Sequence, residues 1–266
     1  MTQHLLEQHG RRHRLGRHVE HDPRSLRYAV GVLPASAIQP VQWQRRAAIF
    51  DQGQLGSCTG NAATGLLGTD SAARTGATSV TVNGATVAVD EDLAVRVYEL
   101  ATQLDTITGS YPPDDTGSSG LGAAKALKQL GLATSYTHAF SLTALKSVLQ
   151  HGPAMIGIVW LNSMFDPHPD GTLPVDRASG VAGGHELVVS GWDGARFRLD
   201  NSWGSGWGDH GSCWVTEADM QWLLSQQGDV TVPALTGAPP APAPAPADPD
   251  LALALAARSW LTAKGL

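Results

Sequence analysis

The chain has 266 residues, of which 42% are hydrophobic and 16% are charged, and its formal net charge at pH 7 is −6. A chain of this length buries enough apolar surface to fold without cross-links. Its two cysteines exclude a disulfide-rich scaffold and a four-cysteine metal site. No apolar stretch approaches the roughly 18–20 residues that span a bilayer, and the first residues lack the apolar core of a signal peptide. We therefore expect a cytoplasmic protein with no membrane partner, unless it is released by lysis or carried in a larger particle.

Positive charge is concentrated in residues 1–46. Eight arginines oppose only Glu7, Glu20 and Asp22 in this segment, which gives it a net charge of +5 and leaves −11 on the rest of the chain. A basic segment can bind nucleic acid, but single-strand binders carry aromatic side chains between the basic ones, and this pattern is missing here. The simpler interpretation is an N-terminal arm, residues 1–46, that wraps around the acidic body in extended form.

The first half of the body, which spans residues 47–233, is predicted to be mainly helical. Residues 59–69 are rich in Ala and Leu and favour a helix. Asn83 and Gly84 stand between two runs of alternating β-branched residues, which predicts a hairpin over residues 79–89. The spacing of apolar residues predicts further helices over 90–104, 121–130 and 142–150.

The second half of the body is predicted to be mainly β-sheet. Apolar runs at 154–160, 186–190, 196–199 and 212–215 are typical of buried strands, and Asp193-Gly194 marks a turn between the second and the third. Helices followed by strands, instead of a regular alternation of the two, indicate the α+β fold class.

A change in composition marks the end of the body. Residues 234–249 are rich in Pro and Ala, which predicts an extended linker. In residues 250–266, Leu253, Ala257, Trp260 and Leu261 share one face of a predicted short helix. Because a helix of this length is marginal alone, we expect it to dock on the body or on a partner.

Cys58 stands between a glycine-rich loop and the first predicted helix. The unpaired N–H groups and the dipole of a helix N-terminus favour the thiolate, which is the nucleophilic form of cysteine. The glycines before Cys58 allow backbone N–H groups to approach a bound carbonyl. An isolated cysteine is more often a small buried hydrophobe, so this interpretation depends on partners elsewhere in the chain.

His185 and Asn201 lie on two strands that are predicted to form one hairpin. A three-residue loop at 192–194 places position 185 opposite position 201, and a two-residue loop shifts this register by one. Either register brings the imidazole close to the amide. An amide oxygen that accepts from one imidazole N–H fixes the tautomer and leaves the other ring nitrogen for the thiol.

Three sequence blocks resemble the signature blocks of the papain-like cysteine peptidases, of C1 type, in a bacterial or phage-like variant. They are Gln52-Gly-Gln-Leu-Gly-Ser-Cys58, Gly183-Gly-His185 and Asn201-Ser-Trp-Gly-Ser-Gly-Trp-Gly208. The resemblance covers roughly residues 47–220, and the last block is its most specific part. The order Cys, His, Asn and the separations of 127 and 16 residues also suit this family, in which the His and the Asn lie far along the chain from the Cys.

The resemblance implies a two-lobed fold, with a helical N-terminal lobe, a β-rich antiparallel C-terminal lobe and the active site between them. It implies that Cys58 is the nucleophile, held as a thiolate beside a protonated His185. Asn201 would orient His185. Gln52 would donate its side-chain amide to the oxyanion, together with the Cys58 backbone N–H, and each such donor is typically worth about 2.7–4 kcal/mol. Trp203 would cover the bond between Asn201 and His185.

The resemblance also implies a cleft for an extended peptide or protein substrate. Gly117 and Ser118 fall where the family has paired glycines that hydrogen-bond a substrate backbone, and Gly184 and Trp203 are further candidate substrate-binding residues. Thr59 replaces the aromatic residue that usually follows the nucleophile. No long helical inhibitory segment is evident, and no motif indicates a metal or a cofactor.

Two alternatives to a protein-cleaving enzyme remain. A non-catalytic module for peptide binding or assembly could keep this fold. The presence of all four of Cys58, His185, Asn201 and Gln52 argues against it, because binding alone requires none of them. A hydrolase of cell-wall peptides would keep the chemistry and change only the substrate, and the sequence does not separate it from a peptidase that acts on proteins.

Overall fold

The structure is a computed structural model that describes residues 13–72 and 74–237. The start of the N-terminal arm, most of the predicted linker and the predicted helix at 250–266 lie outside the described residues.

Five α-helices lie within the described residues, and side chains cap four of them. They are α1 (Cys58–Leu67), α2 (Glu91–Leu104), α3 (Gly120–Gln129), α4 (Leu142–Leu149) and α5 (Glu217–Ser225). Asp90, Ser119, Ser141 and Thr216 accept hydrogen bonds from N–H groups in the first turns of α2 to α5. No side chain caps α1, and the Thr59 backbone in its first turn hydrogen-bonds the Cys58 sulfur.

The strands form one large sheet and one separate hairpin. They are β1 (Val41–Gln42), β2 (Ser79–Val82), β3 (Ala85–Ala88), β4 (Ala133–His138), β5 (Ala154–Leu161), β6 (Val181–Trp192), β7 (Arg196–Asp200), β8 (Ser212–Thr216) and β9 (Asp229–Leu235). The large sheet has the order β4-β9-β5-β6-β7-β8, with β1 paired to β6, and its named pairs are antiparallel. The hairpin β2–β3 turns at Asn83 and Gly84, as predicted.

Two apolar clusters divide the molecule into two lobes. One cluster joins α1, α2, α3 and the β2–β3 hairpin, and the other joins the large sheet with α4 and α5. Strands β5 and β6 contribute to both clusters through opposite faces. Met155 and Val188 pack in the helical lobe, whereas Ile156 and Leu187 pack in the sheet lobe. The predicted α+β class and the two-lobed arrangement are therefore confirmed.

Three sequence-based expectations need correction. Strands β4 and β9 and helix α5 were not predicted, and β9 runs to Leu235, two residues into the segment assigned to the linker. The predicted register of the β6–β7 hairpin is wrong, because Asp200 lies opposite Val188 and Phe197 lies opposite Trp192. The loop is longer than assumed, and a register shift between Val189 and Gly191 adds a bulge.

Candidate active site

Cys58 is the first residue of α1 and is fully buried between the lobes. Helix α1 packs against β6, and the backbone of Glu186 on β6 hydrogen-bonds the Cys58 sulfur. Cys58 therefore lies against the strand that carries His185. The other cysteine, Cys213, is buried in β8, and burial raises the pKa of its thiol.

His185 and Asn201 form a hydrogen bond in a sealed environment. Nε2 of His185 lies 2.7 Å from Oδ1 of Asn201, and both residues are buried. Oδ1 also accepts from the Ser202 backbone N–H at 2.8 Å, which holds the amide in place. An N–H at Nε2 satisfies this bond and leaves Nδ1, which has no hydrogen-bond partner among the described residues, as the ring nitrogen able to exchange a proton.

Aromatic side chains enclose the imidazole of His185. Trp203 stacks on the ring with centroids 4.6 Å apart, and Trp160 meets it edge-on at 4.9 Å. Trp203 is itself covered by His13 from the N-terminal arm, with ring centroids 4.5 Å apart. Trp203 therefore packs against the imidazole of His185 and also stacks with His13 of the N-terminal arm.

The side-chain amide of Gln52 is held in one orientation. Oε1 accepts from the Ser202 hydroxyl at 2.6 Å, and the Gln52 backbone N–H donates to the Ser202 carbonyl at 2.9 Å. Nε2 consequently points the other way, where it donates to the carbonyl oxygens of Leu55 at 2.8 Å and Arg14 at 3.3 Å. The Gln52 amide is thus arranged as a donor to a carbonyl oxygen that enters the cleft.

The described start of the N-terminal arm lies in this cleft, and we call residues 13–18 the cleft segment. Ser118 donates its backbone N–H to the Gly16 carbonyl at 2.9 Å and accepts from the His18 N–H at 2.8 Å. The Arg17 N–H donates to the Gly184 carbonyl at 3.1 Å. These bonds pair Arg17 with Ser118 in the parallel sense. The backbone groups expected to bind a substrate are therefore engaged by the chain itself.

The carboxylate of Asp115, next to the cleft, connects the N-terminal arm to the loop before Cys58 and to helix α2. Asp115 accepts from the Tyr98 hydroxyl at 2.7 Å and from the Gly56 N–H at 3.0 Å, and it forms an ion pair with Arg14 at 3.1 Å. The Tyr98 hydroxyl in turn accepts from the N–H of Gly117, whose φ of +70° favours glycine. Sequence analysis missed Tyr98 and Asp115, because neither belongs to a motif.

Burial under the cleft segment changes the charge state that the resemblance implies for the pair. Burial raises the pKa of Cys58 to about 12, while backbone hydrogen bonds to the sulfur act in the opposite direction. Burial lowers the pKa of His185 to about 4, against the effect of the Asn201 hydrogen bond. At neutral pH both groups are neutral in this covered form. Exclusion of water disfavours the thiolate beside a protonated imidazole in this form, and that charged pair stays a prediction for the uncovered cleft.

A second set of charged residues surrounds the side chain of Arg17. Arg17 forms an ion pair with Asp229, donates to the Gln227 carbonyl at 2.8 Å and lies beside the fully buried Glu186. Strand alternation places Glu186 on the face opposite His185, and a carboxylate on a buried strand has to find a partner. No motif in the sequence marks Asp229.

The structure gives no sign of a metal centre or a membrane span in the part of the chain that it describes. Within residues 13–72 and 74–237, no three His, Cys, Asp or Glu side chains are grouped closely enough to hold a metal ion. None of the described helices is long and apolar enough to cross a membrane.

Comparison with known proteins shows a likeness in structure and not in sequence. The sequence matches no protein-family model and no curated protein sequence. The structure is similar to xylellain, a cysteine protease from Xylella fastidiosa, with 17% identity, a TM-score of 0.61 and coverage of 85% of this chain and 98% of that one. It is also similar to procathepsin L 3 of Tenebrio molitor, with 16% identity, a TM-score of 0.54 and coverage of 84% and 76% of the two chains.

A third solved structure extends this likeness. Procathepsin B S9 from Trypanosoma congolense has 10% identity and a TM-score of 0.52, with coverage of 83% of this chain and 86% of that one. Identities this low carry the fold and nothing finer. The chain therefore has the fold of the papain-like cysteine peptidases.

Proposed function

We propose that this protein is a thiol peptidase that hydrolyses peptide bonds, with Cys58 as nucleophile, His185 as acid and base, and Asn201 as the residue that orients His185. The observation that carries the proposal is the buried bond of 2.7 Å between His185 and Asn201, on the strand against which Cys58 packs. A buried Nδ1 without a hydrogen-bond partner among the described residues is costly for a purely structural histidine, whereas exchange of a proton with a thiol gives that nitrogen a role.

The proposed reaction follows from this geometry. The Cys58 sulfur bonds to the substrate carbonyl carbon, and its proton passes to Nδ1 of His185 while the carbonyl electron pair moves to oxygen. Nε2 of Gln52 and the Cys58 backbone N–H donate to that oxygen. The carbon–nitrogen bond then breaks, and His185 delivers the proton to the leaving amine. Water, deprotonated by His185, finally hydrolyses the thioester and restores the thiol.

The described form is the latent state of this enzyme in our proposal. The Gly16 backbone hydrogen-bonds the Cys58 sulfur, so the cleft segment lies directly on the proposed nucleophile. The cleft segment also occupies the backbone groups of Ser118 and Gly184. Displacement of residues 13–18 would let water reach Cys58 and His185 and would move both pKa values back toward their ordinary range. The sequence analysis anticipated no inhibitory helix, and this account needs none, because an extended segment is sufficient.

Peptide hydrolysis by an opened full-length chain tests the proposal. Substitution Gly16→Ala opens the cleft, since a Cβ there would lie 1.9 Å from the Gly56 carbonyl oxygen. We expect this variant to cleave unfolded protein or short peptides, and the additional substitution Cys58→Ala to abolish the cleavage. Cleavage of purified cell-wall fragments but not of protein would identify the wall-peptide alternative. Binding of peptides without cleavage of either substrate class would identify the non-catalytic module and refute the proposal.

A further inference from the structure

We propose that the cleft contains a specificity pocket for a cationic side chain, formed by Glu186 and Asp229 and filled in the latent form by Arg17. The inference rests on the proposed function and names its substrate class, which is peptides with Arg, and less favourably Lys, at the position that enters this pocket.

Two glycines line the pocket, and their lack of a side chain leaves the space that Arg17 and the two carboxylates occupy. A Cβ on Gly157 would lie 2.5 Å from Nε of Arg17, 2.6 Å from Oδ1 of Asp229 and 2.7 Å from Oε2 of Glu186. A Cβ on Gly120 would lie 2.6 Å from Oε1 of Glu186 and 3.1 Å from Oδ2 of Asp229. Any side chain at either glycine would therefore displace the carboxylates or the guanidinium.

The acceptors around this space are suited to a guanidinium. Asp229 and the Gln227 carbonyl take hydrogen bonds from Arg17, whose side chain is only 2% exposed. Glu186 is 1% exposed, and neither of its carboxylate oxygens has a hydrogen-bond partner among the described residues. A planar fork of N–H donors can serve acceptors on several sides at once, whereas an ammonium offers a single point of charge. This favours Arg over Lys.

Electrostatics make a neutral occupant unfavourable. Burial and the neighbouring Asp229 raise the pKa of Glu186, and the positive charge of Arg17 acts against that rise. When the cleft segment leaves, two carboxyl groups remain in a poorly solvated pocket without their cation. A second cation restores the interaction, whereas an apolar side chain leaves a buried acidic pair uncompensated.

The position of the pocket along the cleft identifies which substrate residue it reads. The Arg17 N–H donates to the Gly184 carbonyl, and its neighbours Gly16 and His18 bond to Ser118; these are the backbone groups that are expected to bind an extended substrate. Gly16, the next residue, is the one that contacts the Cys58 sulfur. A side chain in the pocket therefore belongs to the second residue from the bond that is attacked, with one residue between it and Cys58.

A substrate panel on a full-length variant with a vacated pocket tests the inference. We would assay Arg17→Gly with acetyl-Xaa-Gly aminocoumarin amides, in which Xaa is Arg, Lys, norleucine or citrulline, the neutral analogue of Arg. We expect kcat/KM for Arg to exceed that for citrulline by about 10- to 100-fold, mainly through KM. Additional substitution Glu186→Gln or Asp229→Asn lowers this ratio toward one, whereas the matched control Asp166→Asn at an exposed site leaves it unchanged. The panel is repeated in Gly16→Ala, which retains Arg17.

A binding measurement examines the pocket without catalysis. We expect 5 mM propylguanidinium to raise the Tm of Arg17→Gly, and propylurea, which is neutral, to leave it unchanged. Wild-type protein, in which Arg17 fills the pocket, and Arg17→Gly with both carboxyl substitutions respond to neither compound. Cleavage of the panel without preference for Arg overturns this inference and leaves the proposed function intact. Absence of any cleavage by the opened Gly16→Ala variant overturns the proposed function, and equal Tm responses to the two compounds overturn the cation pocket.

Discussion

Substitution Gly16→Ala is expected to release the cleft segment and expose the nucleophile. The new Cβ would lie 1.9 Å from the oxygen and 2.5 Å from the carbon of the Gly56 carbonyl, and these backbone atoms cannot turn aside as a flexible side chain can. Three backbone hydrogen bonds hold residues 16–18 on Ser118 and Gly184, at 2.8 to 3.1 Å. At about 0.5–1.5 kcal/mol each, their loss weakens the closed form by about 1.5–4.5 kcal/mol, which is about 10- to 2000-fold in the open population.

The change in thiol ionisation limits how far the labelling rate of Cys58 can rise when the cleft opens. A thiol with the pKa of about 12 found for Cys58 in the covered form is ionised in about one molecule in 10⁵ at pH 7, against about one in 10² for the ordinary value of 9.0. Full exposure therefore raises the reactive fraction by about 10³-fold, before any help from His185.

The assay is the rate of iodoacetamide labelling at pH 7, followed by mass spectrometry of the intact protein under reducing conditions. We expect the rate at Cys58 to rise at least tenfold in Gly16→Ala, while Cys213 reacts slowly in both proteins. Gly206→Ala is the matched control, because no atom lies within 4 Å of its added Cβ. Equal labelling of Cys58 in wild type and in folded Gly16→Ala would refute the claim that the cleft segment protects the sulfur.

Three further predictions concern the groups that surround the pair. First, the pKa of His185 is lowered from 6.5 to about 4 in the covered form, so the open or unfolded protein binds more protons between these values. Wild type is expected to lose stability relative to His185→Gln as the pH falls from 6.5 to 4, by up to about 3 kcal/mol, in thermal unfolding at stepped pH. Parallel curves for the two proteins would contradict this. Second, Asn201→Ala in the Gly16→Ala background is expected to lower kcat for peptide cleavage at least tenfold while the far-UV and near-UV circular dichroism stay unchanged, because the imidazole loses the acceptor that orients it. An unchanged kcat would remove Asn201 from the mechanism. Third, Asp115→Asn removes the charge that accepts from Tyr98 and Gly56 and pairs with Arg14, so we expect faster labelling of Cys58 and a free energy of unfolding about 1–3 kcal/mol lower. The neighbouring exposed Asp114→Asn is the control, and equal effects of the two substitutions would argue against a specific tether.

Elements whose signals are local were predictable from sequence. Asn83 and Gly84 specified the β2–β3 hairpin, because this dipeptide adopts the positive φ values that a tight turn requires. The apolar spacing of α2 was equally informative, and Asp90 caps that helix. The Cys58, His185 and Asn201 blocks could be recognised as a set because the motifs keep their order and spacing.

Features that depend on contacts between distant residues were not predictable. Strand β9 contains Pro233 and borders a Pro/Ala-rich stretch, so its composition resembles the linker, and only its pairing with β4 and β5 makes it a strand. The β6–β7 register differs from the predicted one because four residues, 193–196, separate the paired Trp192 and Phe197, and the bulge between Val189 and Gly191 reverses only part of that shift. The position of Arg17 beside Asp229 joins residues 212 apart in the chain, and the sequence carries no mark of that proximity.

The position of the N-terminal arm illustrates the same limit. Its charge suggested contact with an acidic body, but charge alone could not identify the acidic group concerned. The structure directs Arg14 to Asp115 and Arg17 to Asp229, and both of these carboxylates line the cleft. The cytoplasmic location stays a prediction, as do the roles of all the candidate site residues: Cys58, His185, Asn201, Gln52, Gly117, Ser118, Gly184 and Trp203.

The central claim is that the Cys58 sulfur becomes covalently bonded to the acyl part of a peptide during hydrolysis. Acid quenching of Gly16→Ala during turnover of a slow peptide ester, followed by peptide mapping, measures this directly. The account predicts a mass increase equal to the acyl group, located on the fragment that contains Cys58 and missing when Cys58 is replaced by Ala. An adduct on another residue, or ester turnover that persists in Cys58→Ala, would contradict it.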